Sequence, residues 1–247
     1  MLMPPEIIVV DDTQAMARIA GRRVRRSVAV ALSARGEWRF ALAGGNTPRA
    51  LYHELAESST AADRIDWGRT AIYFGDERCV PPDHADSNYR MVRETLLSRI
   101  VIPAANVHRM EGEADDLDAA AARYADALGA APLDLAILGM GADGHTASLF
   151  PGTTALAERQ RRCVAVQVAK LSTSRLTLTY PVFEAAREVF FLIAGKDKAM
   201  TLKEAIEGPD RPDLLPCQAI FRGKGPVAIF CDRGAAAELS TISRPPS

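Results

Sequence analysis

The sequence predicts an α/β fold: a doubly wound, mostly parallel sheet with helices on both faces. Three observations carry that prediction. Six short apolar runs recur along the chain with helix-patterned segments between them. The runs are near-continuously apolar rather than alternating, as strands covered on both faces should be. The 247 residues suit one large α/β domain, and no repeat, low-complexity tract or long linker divides them, so a single domain over 1–247 is expected.

Strands are expected at "EIIVV" (6–10), "WRFALAG" (38–44), "RTAIYFGD" (69–76), "LDLAILGM" (133–140), "EVFFLIAG" (188–195) and "PVAIFCD" (226–232). The intervening patterns predict helices near 13–34, 48–57, 87–99, 115–128, 196–207 and 235–239. "VAVQVAKLSTSRLTLTY" (164–180) departs from this rhythm. Two strand-like pieces around a polar turn predict a small antiparallel hairpin or rim insertion there.

Composition bounds the function. With 48% hydrophobic and 25% charged residues and a formal net charge of −1, the chain gives no electrostatic reason to expect a nucleic-acid or membrane partner. Arg22, Arg23, Arg25 and Arg26 fall in a helical pattern and read as a solvated face. Cys79, Cys163, Cys217 and Cys231 form no C-x-x-C pair, which suits neither a zinc site nor a disulfide framework and fits a reducing compartment. No basic-then-apolar leader is seen, and no apolar stretch approaches the roughly 20 residues that span a bilayer. A cytoplasmic protein is expected, as a monomer or weak homodimer, without metal or cofactor.

In open parallel sheets, ligands gather beyond the carboxyl ends of the strands. Three segments fall there. In "ALAGGNTPRALY", Gly44 and Gly45 let the backbone approach a ligand, while Asn46 or Thr47 can cap a helix with Pro48 in its first turn. A helix start of this kind suits an anion, although a plain cap reads the same way. In "YFGDERCVPPDHADSNYRM", Asp76, Glu77 and Arg78 stand just past an apolar run, a triplet that is costly in a core and useful in a cleft. Ser87 or Asn88 is a plausible cap, and His84 reads as a solvated loop residue.

The third segment is "DLAILGMGADGHTASLFPGT". Gly139, Gly141 and Gly144 mark positive φ or close approach. His145 is expected to begin the next helix, with Asp143 two residues before it, and histidine is the side chain best suited to moving a proton near neutral pH. Arg175 and Lys198 are cations beside strands, either able to hold a phosphate. His53 and His108 lack the glycine setting of His145. No H-E-x-x-H or G-x-S-x-G motif occurs.

Taken together, "AGGNTPRALY", "FGDERCVPPDHADSNYRM", "LDLAILGMGADGHTASLFPGT", "SRLTLTY" and "AGKDKA" resemble the 6-phosphogluconolactonases, in family order from about Ala43 to Ala199. The resemblance implies the sugar-isomerase fold shared with glucosamine-6-phosphate deaminases and ribose-5-phosphate isomerases. It also implies hydrolysis of 6-phospho-D-glucono-1,5-lactone to 6-phosphogluconate in the oxidative pentose phosphate pathway. Asn46 stands where the family usually has serine, a small departure. The deaminases typically read D-E-Y-V-G-L and D-G-H-I-A-F-N-E-P where this chain reads "DERCVP" and "DGHTASLFP", and Ser148 and Leu149 replace the further acid/base groups that deamination needs. A non-catalytic sugar-phosphate-binding module is the other alternative. Its usual helix-turn-helix companion is not expected, since the first strand begins near Glu6.

On this reading His145 is the general base and Asp143 orients it. Backbone N–H groups around Gly44–Gly45 or Gly141–Gly144 are the oxyanion candidates. The GGNTP helix start, Arg78, Arg175 and Lys198 hold the phosphate, with Arg78 ranked first. Asp76 and Glu77 hold cations or sugar hydroxyls; the aspartate matching Asp76 acts as a base in the deaminases.

Overall fold

The computed structural model describes residues 4–57, 64–168 and 172–240. In chain order the first half runs β1 (Glu6–Val10), α1 (Thr13–Arg35), β2 (Trp38–Leu42), α2 (Arg49–Ala56), β3 (Thr70–Phe74), β4 (Asp76–Arg78), α3 (Asn88–Thr95) and α4 (Leu117–Leu128). Then come β5 (Leu135–Leu138), β6 (Cys163–Val168), β7 (Thr173–Leu178), α5 (Tyr180–Glu184), β8 (Val189–Ile193), α6 (Ala199–Glu207), α7 (Cys217–Phe221) and β9 (Val227–Asp232).

Six strands form one parallel sheet in the order β1-β9-β8-β5-β2-β3. Their apolar runs are continuous because both faces are covered, and successive side chains alternate between two cores. Phe40, Leu42, Leu135, Ile137, Phe190 and Phe230 pack on the side of α1, α2 and α3. Ala41, Ala136, Leu138, Phe191 and Ile229 pack on the side of α4, α6, α7 and the second sheet.

That second sheet is antiparallel, in the order β4-β7-β6. The hairpin expected over 164–180 is its β6–β7 pair; the turn at 169–171 lies outside the described residues. Its third strand is not expected from the sequence, which places Asp76, Glu77 and Arg78 just past an apolar run. Gly75 makes the passage between sheets: its N–H donates to Leu42 O at 2.9 Å, and its carbonyl accepts from Leu178 N at 2.9 Å. A charged strand is invisible to a hydrophobic pattern, because its carboxylates are satisfied by partners distant in sequence.

Other expectations also shift. No helix follows His145: Thr146 and Leu149 form an isolated bridge, and Ala147 takes φ 48°. The Ser148 N–H is drawn to Thr177 Oγ1 at 3.2 Å, which competes with a helical turn. Residues 233–238 form consecutive turns rather than the helix expected over 235–239. Two short helices, α5 and α7, went unpredicted, being only five residues each. Arg23 pairs with Glu6, and Arg25 bonds Glu54 Oε1 and the carbonyls of Glu54 and Glu57, so the arginine face of α1 is partly engaged.

Candidate active site

Two tyrosines determine where the first loops leave the sheet. The Tyr52 hydroxyl, on α2, donates to Ala43 O at 2.7 Å and accepts Ala43 N–H at 2.9 Å. The Tyr124 hydroxyl, on α4, clasps Phe74 in the same way, at 3.0 and 2.7 Å. Burial pushes both phenols well above their ordinary range, so each remains a donor. Beyond Ala43 lies the Gly44–Thr47 turn; beyond Phe74 lies β4.

These segments, together with the loops after β5 and β8 and the start of β7, enclose a cleft of about 460 Å³. Gly44, Gly45, Asn46, Thr47, Asp76, Arg78, Gly141, Asp143, His145, Arg175 and Lys198 all line it. Glu77 and Gly144 do not. Glu77 is 2% exposed and accepts from Arg78 N, Asn88 N, Tyr89 N and Ser87 Oγ. It therefore anchors the start of α3, and no oxygen of it faces a ligand. Burial nevertheless raises its carboxyl, opposed by those N–H donors. Gly144, at φ 75°, backs onto Leu215 instead.

The histidine is oriented from below. His145 Nδ1 lies 2.5 Å from Asp143 Oδ1, and its ring stacks on Phe150 with centroids 4.0 Å apart. With Nδ1–H donated to the carboxylate, neutral His145 presents Nε2 as an acceptor, and no hydrogen bond among the described residues reaches that atom. The side chain is 30% exposed, open to water yet held by two partners.

Backbone donors differ between the two glycine turns. Gly141 N–H donates to His145 O at 2.8 Å and Gly144 N–H to Gly141 O at 3.0 Å, so both are engaged inside their own loop. No hydrogen bond among the described residues takes the N–H of Gly44, Gly45, Asn46 or Thr47. The cap expected from Asn46 or Thr47 is absent as well: Pro48 is the N-cap of α2, with no side-chain hydrogen bond. Ser87 does cap α3, accepting from Arg90 N.

The cations are unequally placed. Arg78 and Arg175 are register partners across the β4–β7 ladder, like charges held side by side. Arg78 donates to the Asp86 carbonyl, and Lys198 pairs with Asp197 at 2.8 Å. The Arg175 side chain has no hydrogen bond or ion pair among the described residues, and its Nε is buried without a partner. Burial and the neighbouring Arg78 both pull its guanidinium below the ordinary arginine range. A dianion between the two arginines relieves both penalties.

Asp76 is buried in the cleft wall. Its Oδ2 accepts from Ser148 Oγ at 2.6 Å and its Oδ1 from Asn88 Nδ2 at 3.1 Å. Sequence reasoning treated Asn88 only as a possible cap and passed over Phe150; both line the cleft. The "SNY" and "SLFP" segments held these signals, but their pairing with Asp76 and His145 is tertiary.

A parallel sheet that brings a histidine–aspartate pair and three cationic side chains to one cleft at its carboxyl edge defines the class, an α/β enzyme with a candidate active site there. The chain belongs to the glucosamine-6-phosphate isomerase/6-phosphogluconolactonase family, whose sequence model matches residues 11–229. A 6-phosphogluconolactonase of a Nostoc species is 35% identical over 247 aligned residues, which cover 96% of this chain and all of the relative. The crystal structure of a 6-phosphogluconolactonase from Shewanella baltica superimposes with a TM-score of 0.83 at 29% identity, covering 94% of this chain and 99% of that one. A monomeric glucosamine-6-phosphate deaminase reaches a TM-score of 0.82 at 22% identity, covering 94% and 99%, a likeness of fold.

Proposed function

We propose that the protein hydrolyses 6-phospho-D-glucono-1,5-lactone to 6-phospho-D-gluconate, the lactone-opening step of the oxidative pentose phosphate pathway. The observation that carries this reading is the Asp143–His145 pair at 2.5 Å, opening on the same cleft as the unengaged Arg175. His145 Nε2 takes a proton from water as its oxygen attacks the lactone carbon. The carbonyl becomes an oxyanion, for which the Gly44 and Gly45 N–H groups, without a partner among the described residues, are candidate donors. Collapse breaks the bond to the ring oxygen, which leaves with the proton that His145 carried. The product is a carboxylic acid that ionises, so one proton is released per turnover. Arg175 and Arg78 hold the 6-phosphate, with Lys198 at the rim.

Asp76 and the segment after His145 separate this reading from the deaminase. Both oxygens of Asp76 accept hydrogen bonds, from Ser148 Oγ and Asn88 Nδ2, which supports a holding role, and the "TASLFP" that follows His145 favours the lactonase over the deaminase. A cytoplasmic location belongs to the same proposal, supported by four unpaired cysteines and by the absence, among the described residues, of any helix long and apolar enough to cross a membrane. So does a monomer or weak homodimer, which sedimentation would test.

The deciding experiment mixes the protein with freshly made 6-phosphogluconolactone and follows acid release above the spontaneous rate, with ammonia release from glucosamine 6-phosphate as control. His145→Ala should lower kcat by at least about two orders of magnitude while KM is largely kept. Turnover near that of the unaltered protein would sink the base assignment. Binding without any catalysed release would favour a non-catalytic sugar-phosphate module.

A further inference from the structure

The loop that carries Asp143 and His145 is tied to two other elements, one on either side of Asp143. Thr201, in α6, donates its hydroxyl hydrogen to the Ala142 carbonyl at 2.6 Å. The Cys217 N–H, at the start of α7, donates to the Gly144 carbonyl at 2.9 Å. Leu215 closes that second side, where a Cβ on Gly144 would lie 2.7 Å from its Cδ2. Asp143 stands between these two anchored carbonyls, with its Oδ1 2.5 Å from His145 Nδ1. The place of the carboxylate under the ring is thus set by α6 and α7 as well as by the turn itself.

Of the two ties, the Thr201 bond is made by a side chain, so substitution can remove it alone. A threonine inside a helix ordinarily turns its hydroxyl to a carbonyl three or four residues back. A hydroxyl has a single hydrogen to give, and Thr201 gives it to a loop 59 residues earlier in the chain. The residue is only partly buried, so core packing does not account for it. Lys198, which lines the cleft, is the N-cap of the same helix. One element therefore reaches the cleft with a cation and the histidine's loop with a hydroxyl.

An imidazole that loses its carboxylate carries its hydrogen on Nε2 for part of the time, and Nε2 cannot then take a proton from water. We propose that Thr201 is a positioning residue for lactone opening. Through the Ala142 carbonyl it holds Asp143 against Nδ1 and so keeps Nε2 free to accept. The kinetic consequence rests on the lactonase reading, whereas the tautomer is a property of the free protein.

The test compares Thr201→Val, which keeps the shape and removes the hydroxyl, with Thr201→Ser, which keeps the hydroxyl. Thr201→Ala repeats the first comparison should the valine not fold. Thr201→Val should lower kcat on 6-phosphogluconolactone by about tenfold, with KM within about twofold. Thr201→Ser should stay within about threefold of the unaltered protein. Unphosphorylated gluconolactone should lose activity by the same factor as the phosphorylated substrate, because the defect lies at the base. The 15N shifts of the neutral His145 ring should report the Nδ1–H tautomer in the unaltered protein and in Thr201→Ser, and move toward Nε2–H in Thr201→Val. Ring shifts unchanged in Thr201→Val overturn the proposal whatever the kinetics. A serine variant as impaired as the valine one overturns it too, since the hydroxyl is then not the agent. A rise in KM confined to the phosphorylated lactone would assign Thr201 to Lys198 and the phosphate instead. If the unaltered protein opens no lactone above the spontaneous rate, the lactonase reading fails by itself, and the ring shifts alone decide whether Thr201 holds the pair.

Discussion

Gly141 and His145 approach so closely that a Cβ on the first would lie 2.0 Å from Nδ1 of the second and 2.7 Å from Asp143 Oδ1. The glycine is therefore part of the histidine's support: it leaves room for the imidazole to sit on the carboxylate. Gly141→Ala must push the ring off Asp143. Its kcat should fall by about two orders of magnitude, the lower end of what acid–base help contributes, with KM changed little. Steady-state kinetics on the lactone check this, and unchanged kcat would show that the ring's present seat is immaterial.

Arg175 gives a prediction in which stability and function separate. The guanidinium is half-buried beside Arg78 and without an ion pair among the described residues, and burial with Arg78 outweighs the attraction of Asp76 and Glu77, so its charge is a net cost to the folded protein. Arg175→Met should leave the melting temperature unchanged or raise it, while KM for the phosphorylated lactone rises by about tenfold or more. Unphosphorylated gluconolactone should be affected far less. A drop in melting temperature together with an equal loss on both substrates would assign Arg175 to the fold instead.

Tyr52 supports the turn that carries Gly44 and Gly45. Tyr52→Phe removes the hydroxyl that serves both Ala43 N and Ala43 O in a fully buried place. Unfolding in urea should show a loss of about 1–3 kcal/mol for each group left unpaired, with the slope of the transition retained. A variant as stable as the original would mean that water enters to replace the hydroxyl.

His108 makes stability depend on pH. It stacks on Tyr73 with centroids 4.7 Å apart, and burial, then Arg39, hold its imidazole below its ordinary value of 6.5. The unfolded chain thus binds a proton there more readily than the folded one. The corresponding stability is present above about pH 6.5 and is lost as pH falls through the lowered value. Thermal melts at pH 7.5 and 5.5 should show a smaller acid-side loss for His108→Phe, which keeps the stack. Equal losses in the two proteins would remove His108 from the pH response.

Much of this architecture is legible in the chain. The six parallel strands follow from their apolar runs, and α1 from its helical pattern over 13–34, with Asp12 and Gly36 capping it in the structure. The glycines around His145 marked a ligand-approaching loop. What could not be read is tied to partners far away in sequence. Glu77 looked like a cleft residue because burial is invisible to a charge pattern; the α3 start that satisfies it lies 10–12 residues on. The helix expected after His145 lost to the hydrogen bond that the Ser148 N–H donates to Thr177 Oγ1.

By itself, then, the sequence determined the fold class, the family and the identity of the pair Asp143 and His145, since those depend on periodicity and on residues adjacent along the chain. Only the tertiary structure decided which N–H groups remain available, which arginine is unpaired and which helix ties the loop of Asp143. Those outcomes are competitions for hydrogen-bond partners between segments up to 72 residues apart, as for Ser148 and Asp76. They are settled when β4 crosses from one sheet to the other and brings its charges to the cleft.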